Sequence, residues 1–380
     1  MNILIDIAHP AHVHLLRNFY KEMTARGNKV VVTVKDIPAA IRLLDLYHIP
    51  YTFLGKKKDN LFLKGLEQLK YNMQLLRIAR REQCTIAIGT SITLAHVGAL
   101  SRMSLLYPRI NAVLLDDDDD EVEPLYAKYA HPFADVVLSP MATPRVTSKV
   151  LYYPAYHELA YLHPNRFTPD PSVLDDAHIA YKTDEQGNVT DVEPFFIMRF
   201  NAFKAHHDVG VVGLTIENKR RMIQLLSRYG KVFITTERNI DEEFLPYQLC
   251  VSQEKVHSLM YYATMFVGDS QTMTSEAAVL GTPSIRCNTF VGRIHYLEEE
   301  EHTYHLTYGF RPEKSEEMFR TVETLLGMGA KALKAEWEIR RQRLLKEKID
   351  YTAFQCWFIE HYPASAEEAK DPSFDWSRFR

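Results

Sequence analysis

Asp269-Ser270-Gln271-Thr272-Met273-Thr274-Ser275-Glu276 sets hydroxyls and carboxylates where a short apolar run, Thr264 to Val267, gives way to a helix-forming stretch. Asp269 and Ser270 are good helix caps, Glu276 falls on the first turns, Gly281 suits the residue just past the helix, and Pro283 blocks continuation. A helix that starts at a strand's carboxyl end aims free N–H groups and a partial positive charge at one point, which favours an anion and phosphate above all. Ser270, Gln271, Thr272 and Thr274 add polar groups there, and Glu276 can accept from a sugar diol. An ordinary capped helix of an α/β protein has the same local pattern.

A second set of reactive groups follows the first apolar run. Ala8-His9-Pro10-Ala11-His12-Val13-His14 places three histidines in six residues. They suit a metal, a solvated loop, or substrate contact with proton transfer; an imidazole removes a hydroxyl proton well near neutral pH. The preferred reading is substrate contact, because ligands of parallel sheets bind outside the carboxyl ends of the strands.

The run Asp116 to Glu121 ends another apolar run with six consecutive acidic residues. Such a run is either solvated or bound to a cation, but Asp116 and Asp117 stand closest to the strand and are candidates for a base or for orienting a histidine. Arg199, Asn201 and Lys204 follow the strand-like Phe195 to Arg199, and two cations there would balance a diphosphate. Arg286 ends the run after the opening helix and is expected at the same ligand. Tyr153 to Leu162 carries three tyrosines and a His157-Glu158 pair, which either packs at a domain junction or buries aromatic surface.

These groups need a scaffold that brings strand ends together. Ile3 to Ile7, Lys29 to Val34, Tyr51 to Leu54, Thr85 to Ile88, Ile110 to Leu115 and Val136 to Leu138 read as strands. Helices alternate with them: one through Leu15, Leu16, Phe19, Tyr20 and Met23 to Gly27, then Pro38 to Tyr47 and Leu61 to Glu82. The last should turn Leu66, Leu69, Met73, Leu76 and Ile78 towards the core. A second β-α series runs from Phe195 to Arg199 through a helix at Met222 to Tyr229, a strand at Val232 to Thr235 and a helix at Val256 to Ala263. The Pro- and Asp-rich His163 to Asp176 suits a linker. This alternation predicts an α/β fold of two doubly wound, Rossmann-like domains. Residues 1–165 are expected to form the first and 178–330 the second.

The 380 residues, 46% hydrophobic and 25% charged, can bury two sizeable cores. A net charge of −4 argues against nucleic acid as a partner. Cys84, Cys250, Cys287 and Cys356 lie too far apart for a C-x-x-C pair, so neither zinc nor a disulfide framework is expected, and reduced cytoplasmic thiols fit best. No signal peptide or membrane-spanning segment is expected.

The segment Asp269 to Arg286 resembles the nucleotide-diphosphate motif of GT-B-fold proteins. It is similar to the corresponding segment of non-hydrolysing UDP-N-acetylglucosamine 2-epimerases and, more loosely, of the transferase that makes lipid II. Asp269, Ser270, Glu276, Ala277, Gly281 and Pro283 match, while Gln271 and Thr272 replace a pair of glycines. The resemblance implies that Glu276 holds the nucleotide ribose. In the lipid II transferase the first loop ends in G-H-V, where this chain has Ala11-His12-Val13, so His12 takes that place. The 2-epimerases carry H-x-E-A-G near the acidic run and an arginine in their first loop. This chain has neither, which counts against their chemistry.

Nearly the whole chain resembles a prokaryotic family with a GT-B-like fold and no assigned substrate. The segments DIAHPAHVH (6–14), ELAYLHPNRF (158–167), MRFNA (198–202) and EAAVLGTP (276–283) carry that resemblance. In GT-B proteins the two domains face a central cleft, which implies that 1–165 is the acceptor side and 178–330 the nucleotide-sugar side, and the last helices cross back, here residues 331–380, onto the first domain.

The implied activity is glycosyl transfer from a nucleotide-sugar, a UDP-sugar foremost, to an acceptor hydroxyl on a sugar or lipid-linked sugar, in cell-surface glycan synthesis. No metal is expected. The alternatives are a sugar-nucleotide epimerase or hydrolase and a non-catalytic sugar-nucleotide-binding protein. A cytoplasmic place fits, with peripheral contact at the inner face of the membrane as a further expectation.

Overall fold

Runs of β-branched and aromatic residues too short for helices form strands buried on both faces, as parallel sheets flanked by helices require. In β1 (Asn2–Ile7), Ile3, Leu4, Ile5 and Ile7 are all buried. The computed structural model describes residues 1–55, 61–103, 108–145, 147–200, 213–236 and 240–380. They divide into two compact units, one of residues 1–166 with 348–380 and one of residues 167–347.

The first unit holds β1, β2 (Lys29–Val34), β3 (Thr52–Phe53), β4 (Ile86–Gly89), β5 (Asn111–Leu115), β6 (Val136–Pro140) and β7 (Val150–Tyr153). They form one sheet in the order β3-β2-β1-β4-β5-β6-β7, every neighbour parallel. The order reverses between β1 and β4, so the loops after these two strands diverge and open a crevice at their carboxyl ends.

The second unit opens with a hairpin, β8 (Tyr181–Thr183) and β9 (Val189–Val192). Its main sheet has β10 (Phe195–Phe200), β11 (Lys231–Thr236), β12 (Met265–Gly268), β13 (Ser284–Cys287) and β14 (Thr307–Phe310) in the parallel order β11-β10-β12-β13-β14. Here the reversal lies between β10 and β12. The fold is thus α/β with two Rossmann-like units, as expected.

Several expectations need correction. The helix Leu61–Arg81 buries Tyr71, Asn72, Leu75, Leu76 and Ala79, while Leu69 and Met73 are exposed; Leu66 lies outside the described side chains. The core contact runs through Tyr71, Leu75, Leu76 and Ala79, with Ile78 packed against them as expected; Tyr71 is a residue that hydropathy discounts. The supposed linker contains the helix Ser172–Asp176, with Val173 and Leu174 buried.

The long terminal helix is two helices, Ala330–Glu347 and Tyr351–Glu360, broken where Asp350 caps the second by accepting from Ala353 N at 3.1 Å. The first belongs to the second unit, anchored by Trp337 Nε1 to Leu306 O (2.8 Å) and Arg341 Nε to Val279 O (2.9 Å). The chain therefore returns to the first unit at residue 348, not 331. No helix among the described residues is long and apolar enough to cross a membrane.

Candidate functional site

In the second unit the candidate site stands at the sheet's reversal. Arg199 on β10 pairs in register with Gly268, the last residue of β12. A Cβ on Gly268 would lie 2.9 Å from Arg199 O, so only glycine lets the two strand ends approach this closely. Two residues on, Ser270 caps the helix Gln271–Leu280 by accepting from Met273 N at 3.4 Å, and Gly281 ends it at φ 73°. Gln271 and Thr272 head this helix half-buried, with amide groups that no preceding turn supplies with a carbonyl. Arg199, whose Nη1 donates to Thr235 Oγ1 at 3.3 Å, brings a guanidinium to the same edge. A helix start at a reversal of strand order suits an anion, and the contact of Arg199 with Thr235 lies on the neighbouring β11 side of the same edge.

Two other expected contacts differ. Glu276 is not on an exposed helix start: it is 6% exposed, and its Oε1 lies 2.9 Å from His257 Nε2 inside the unit. Arg286 has no exposed surface and donates from Nη2 to Glu298 Oε1 at 3.2 Å, which braces the segment after β13, while its Nε and Nη1 have no hydrogen-bond partner among the described residues. Glu298 Oε1 in turn accepts from Gly292 N at 2.9 Å. Asn201 and Lys204 lie outside the described residues.

In the first unit His12 also sits at the reversal. It lies on the first turn of the helix Pro10–Ala25, after β1, and its ring nitrogens are 2.8 Å from Oγ1 of Thr90, the residue that follows β4. Tyr126 OH donates to Thr90 O at 2.6 Å. Burial, helped by the charges of His9, His157 and Lys35, pushes the His12 pKa well below the usual 6.5, so the ring is neutral near pH 7. His9 instead caps the helix, accepting from Ala11 N at 3.2 Å. His14 is buried between the rings of Tyr47 and Tyr161.

The acidic run is neither wholly solvated nor wholly free. Asp116 and Asp119 are buried, Asp118 and Glu121 exposed. Asp116 Oδ2 lies 2.6 Å from His131 Nε2 and 3.1 Å from Arg145 Nη1. The Arg145 side chain has no exposed surface; it also reaches Asp120 Oδ1 (2.9 Å), Ser139 Oγ (2.8 Å) and the carbonyls of Asp116 and Asp118. Asp116 was expected to be a catalytic group, but with its carboxylate engaged by Arg145 and His131 it holds the loop in shape. Asp117 is free of that network and pairs with His157 Nδ1 at 2.9 Å. Burial raises its carboxyl pKa, but the charge and hydrogen bond of His157, with Arg145, outweigh this and leave it below the ordinary value.

Among the described residues, Asp116, Asp120 and His131, Asp116, Asp117 and Asp118, and Glu298, Glu301 and His302 are each close enough together for a cation. Arg145 already supplies positive charge to the acidic run, and Arg286 to Glu298.

Thr90, His131, Arg145, His157 and His257 were missed from sequence. Only His157 had a signal, its place in the tyrosine-rich segment. That segment buries aromatic surface: Tyr153 and Tyr351 stack at 4.2 Å, and His157 stacks on Tyr351 at 5.7 Å.

The chain matches, over residues 1–308, the family described as protein of unknown function (DUF354), and it belongs to that family. A relative in Methanocaldococcus jannaschii, the uncharacterized protein MJ0665, is 21% identical over 80% of this chain and 87% of its own. Among solved structures, the S. aureus MnaA–UDP complex superposes with a TM-score of 0.62 at 12% identity, covering 96% of this chain and 97% of that one. A putative UDP-N-acetylglucosamine 2-epimerase from Listeria monocytogenes gives 0.61 at 11%, over 99% and 98%. The spinosyn forosaminyltransferase SpnP gives 0.60 at 13%, over 98% and 100%. These likenesses show a fold shared with GT-B transferases and epimerases.

Proposed function

We propose that this DUF354 member is a GT-B glycosyltransferase, which binds a nucleotide-sugar on its second unit and transfers the sugar to an acceptor hydroxyl with a base from its first. The observation that carries the reading is the convergence of Arg199, Gly268 and the Ser270-capped helix start at the strand-order reversal. Diphosphate oxygens would accept from the amides of Gln271 and Thr272 and from Arg199, with Lys204 and Asn201 next along the chain. As the sugar–phosphate bond breaks, negative charge grows on the leaving diphosphate, and the helix start and guanidinium stabilise it without a metal. UDP is the favoured nucleotide, because the MnaA structure of the same fold holds UDP. At the first unit's sheet edge, neutral His12 and the Asp117 carboxylate, which pairs with His157, are the groups suited to receive or steer the acceptor's proton. A sugar or lipid-linked sugar is the acceptor class, in cell-surface glycan synthesis.

A thermal-shift screen against UDP-, GDP-, CDP- and dTDP-sugars tests the binding half. A ligand at about 100 times its dissociation constant adds roughly 2.7 kcal/mol. Product analysis tests the other half. Sugar appearing on an added acceptor supports transfer. UDP released equally with and without acceptor turns the reading to hydrolysis, an interconverted sugar without UDP release to epimerisation, and binding without turnover to a non-catalytic role.

A further inference from the structure

The first unit contains two Asp–His pairs, and they differ in one respect. His131 has a carboxylate near each ring nitrogen: Asp116 at 2.6 Å from Nε2 and Asp120 at 3.9 Å from Nδ1. His157 has Asp117 at 2.9 Å from Nδ1, while its Nε2 is buried with no hydrogen-bond partner among the described residues. A buried nitrogen left unsatisfied is costly, and folds retain such atoms where a partner from outside the chain completes them. The ring is fixed on one face by Tyr351, stacked 11° from coplanar, which belongs to the segment 348–380 that returns to this unit. It lies close enough to His12 for the two charges to interact.

We propose that the Asp117–His157 pair is the proton acceptor of the transfer reaction, with His157 Nε2 as the basic atom. Asp117 accepts the Nδ1–H, which fixes the tautomer and leaves the Nε2 lone pair free, and its charge stabilises the imidazolium that forms. His12 is less suited to that step. Ala8 N donates to its Nδ1 at 3.4 Å, and Thr90 Oγ1 occupies the ring nitrogens, so it positions the acceptor. In the reaction the acceptor O–H gives its proton to Nε2 and its oxygen pair forms the bond to the anomeric carbon. The bond from that carbon to the diphosphate oxygen breaks, and its electron pair leaves with the nucleoside diphosphate. The inference rests on the transferase reading.

Two measurements on the full chain separate the two. Nitrogen-15 histidine labelling with long-range proton–nitrogen spectra at neutral pH reads the tautomer directly, the His157 signal being identified by its loss in His157→Gln. A proton on Nδ1 and a bare Nε2 are expected; a proton on Nε2 overturns the proposal whether or not the protein is a transferase. With UDP-N-acetylglucosamine as donor probe, His157→Ala should lower turnover about 10²–10⁴-fold with UDP affinity unchanged, and added imidazole should restore part of it. Turnover within about threefold of wild type, or a loss that imidazole leaves untouched in a folded variant, overturns it too. If wild type turns over no nucleotide-sugar, the transferase reading fails, and the proposal that rests on it falls with it, even where the spectrum shows the expected tautomer.

Discussion

His12 was legible because its loop directly follows the first strand, and strand ends are where α/β proteins place ligands. Its partners were not: Thr90 lies 78 residues along the chain, and only the sheet order brings it beside His12. Since burial depresses the His12 pKa, the ring charges only below about pH 6.5, and its part in positioning the acceptor should be lost only there. The sign for stability agrees: below pH 6.5 the unfolded chain binds this proton before the folded one, so stability drops as pH falls through that window. Stability of wild type that falls no more steeply than that of His12→Gln below about pH 6.5 would show that burial does not depress this histidine. His14→Ala should act differently, lowering the melting temperature by emptying a buried place between two tyrosines. Glu276 shows the limit of reading by resemblance. The motif places the residue, but the burial that pairs it with His257 is tertiary. Glu276→Ala should cost about 1–3 kcal/mol of stability, because His257 loses that acceptor in a buried setting. Denaturation midpoints equal to wild type would show the pair to be unimportant.

The capped helix Gln271–Leu280 was readable almost to the residue, since its start at Ser270, its left-handed end at Gly281 and the following Pro283 are all local signals. The acidic loop after β5 was not, because its organiser, Arg145, is 29 residues from Asp116 and carries no motif. Arg145 sits where a divalent cation would otherwise be invoked, and two predictions follow from that. Turnover should survive EDTA; complete loss on chelation, restored by added metal, would make the aspartates a metal site. Arg145→Met should destabilise the protein by about 3–5 kcal/mol, because it strands Asp116 and Asp120 without their cation, and urea unfolding reads this directly.

The alternation of strands and helices foretold both Rossmann-like units, because parallel strands separated by helices admit few other arrangements. Where the chain changes unit was less legible. The helix Ala330–Glu347 reads as a charged surface helix, yet Trp337, Arg341 and Lys334 tie it to backbone and side-chain oxygens of its own unit. The short break before Asp350 then hands the chain back to the first unit. The central claim is that the second unit holds a nucleoside diphosphate at the meeting of β10 and β12. Isothermal titration of the full chain with UDP tests it most directly. Saturable one-site binding is predicted, weakened by about 1.5–3 kcal/mol in Arg199→Ala, which loses a charged donor. Absence of binding by UDP and by GDP, CDP and dTDP, or UDP affinity that Arg199→Ala leaves unchanged, would contradict it.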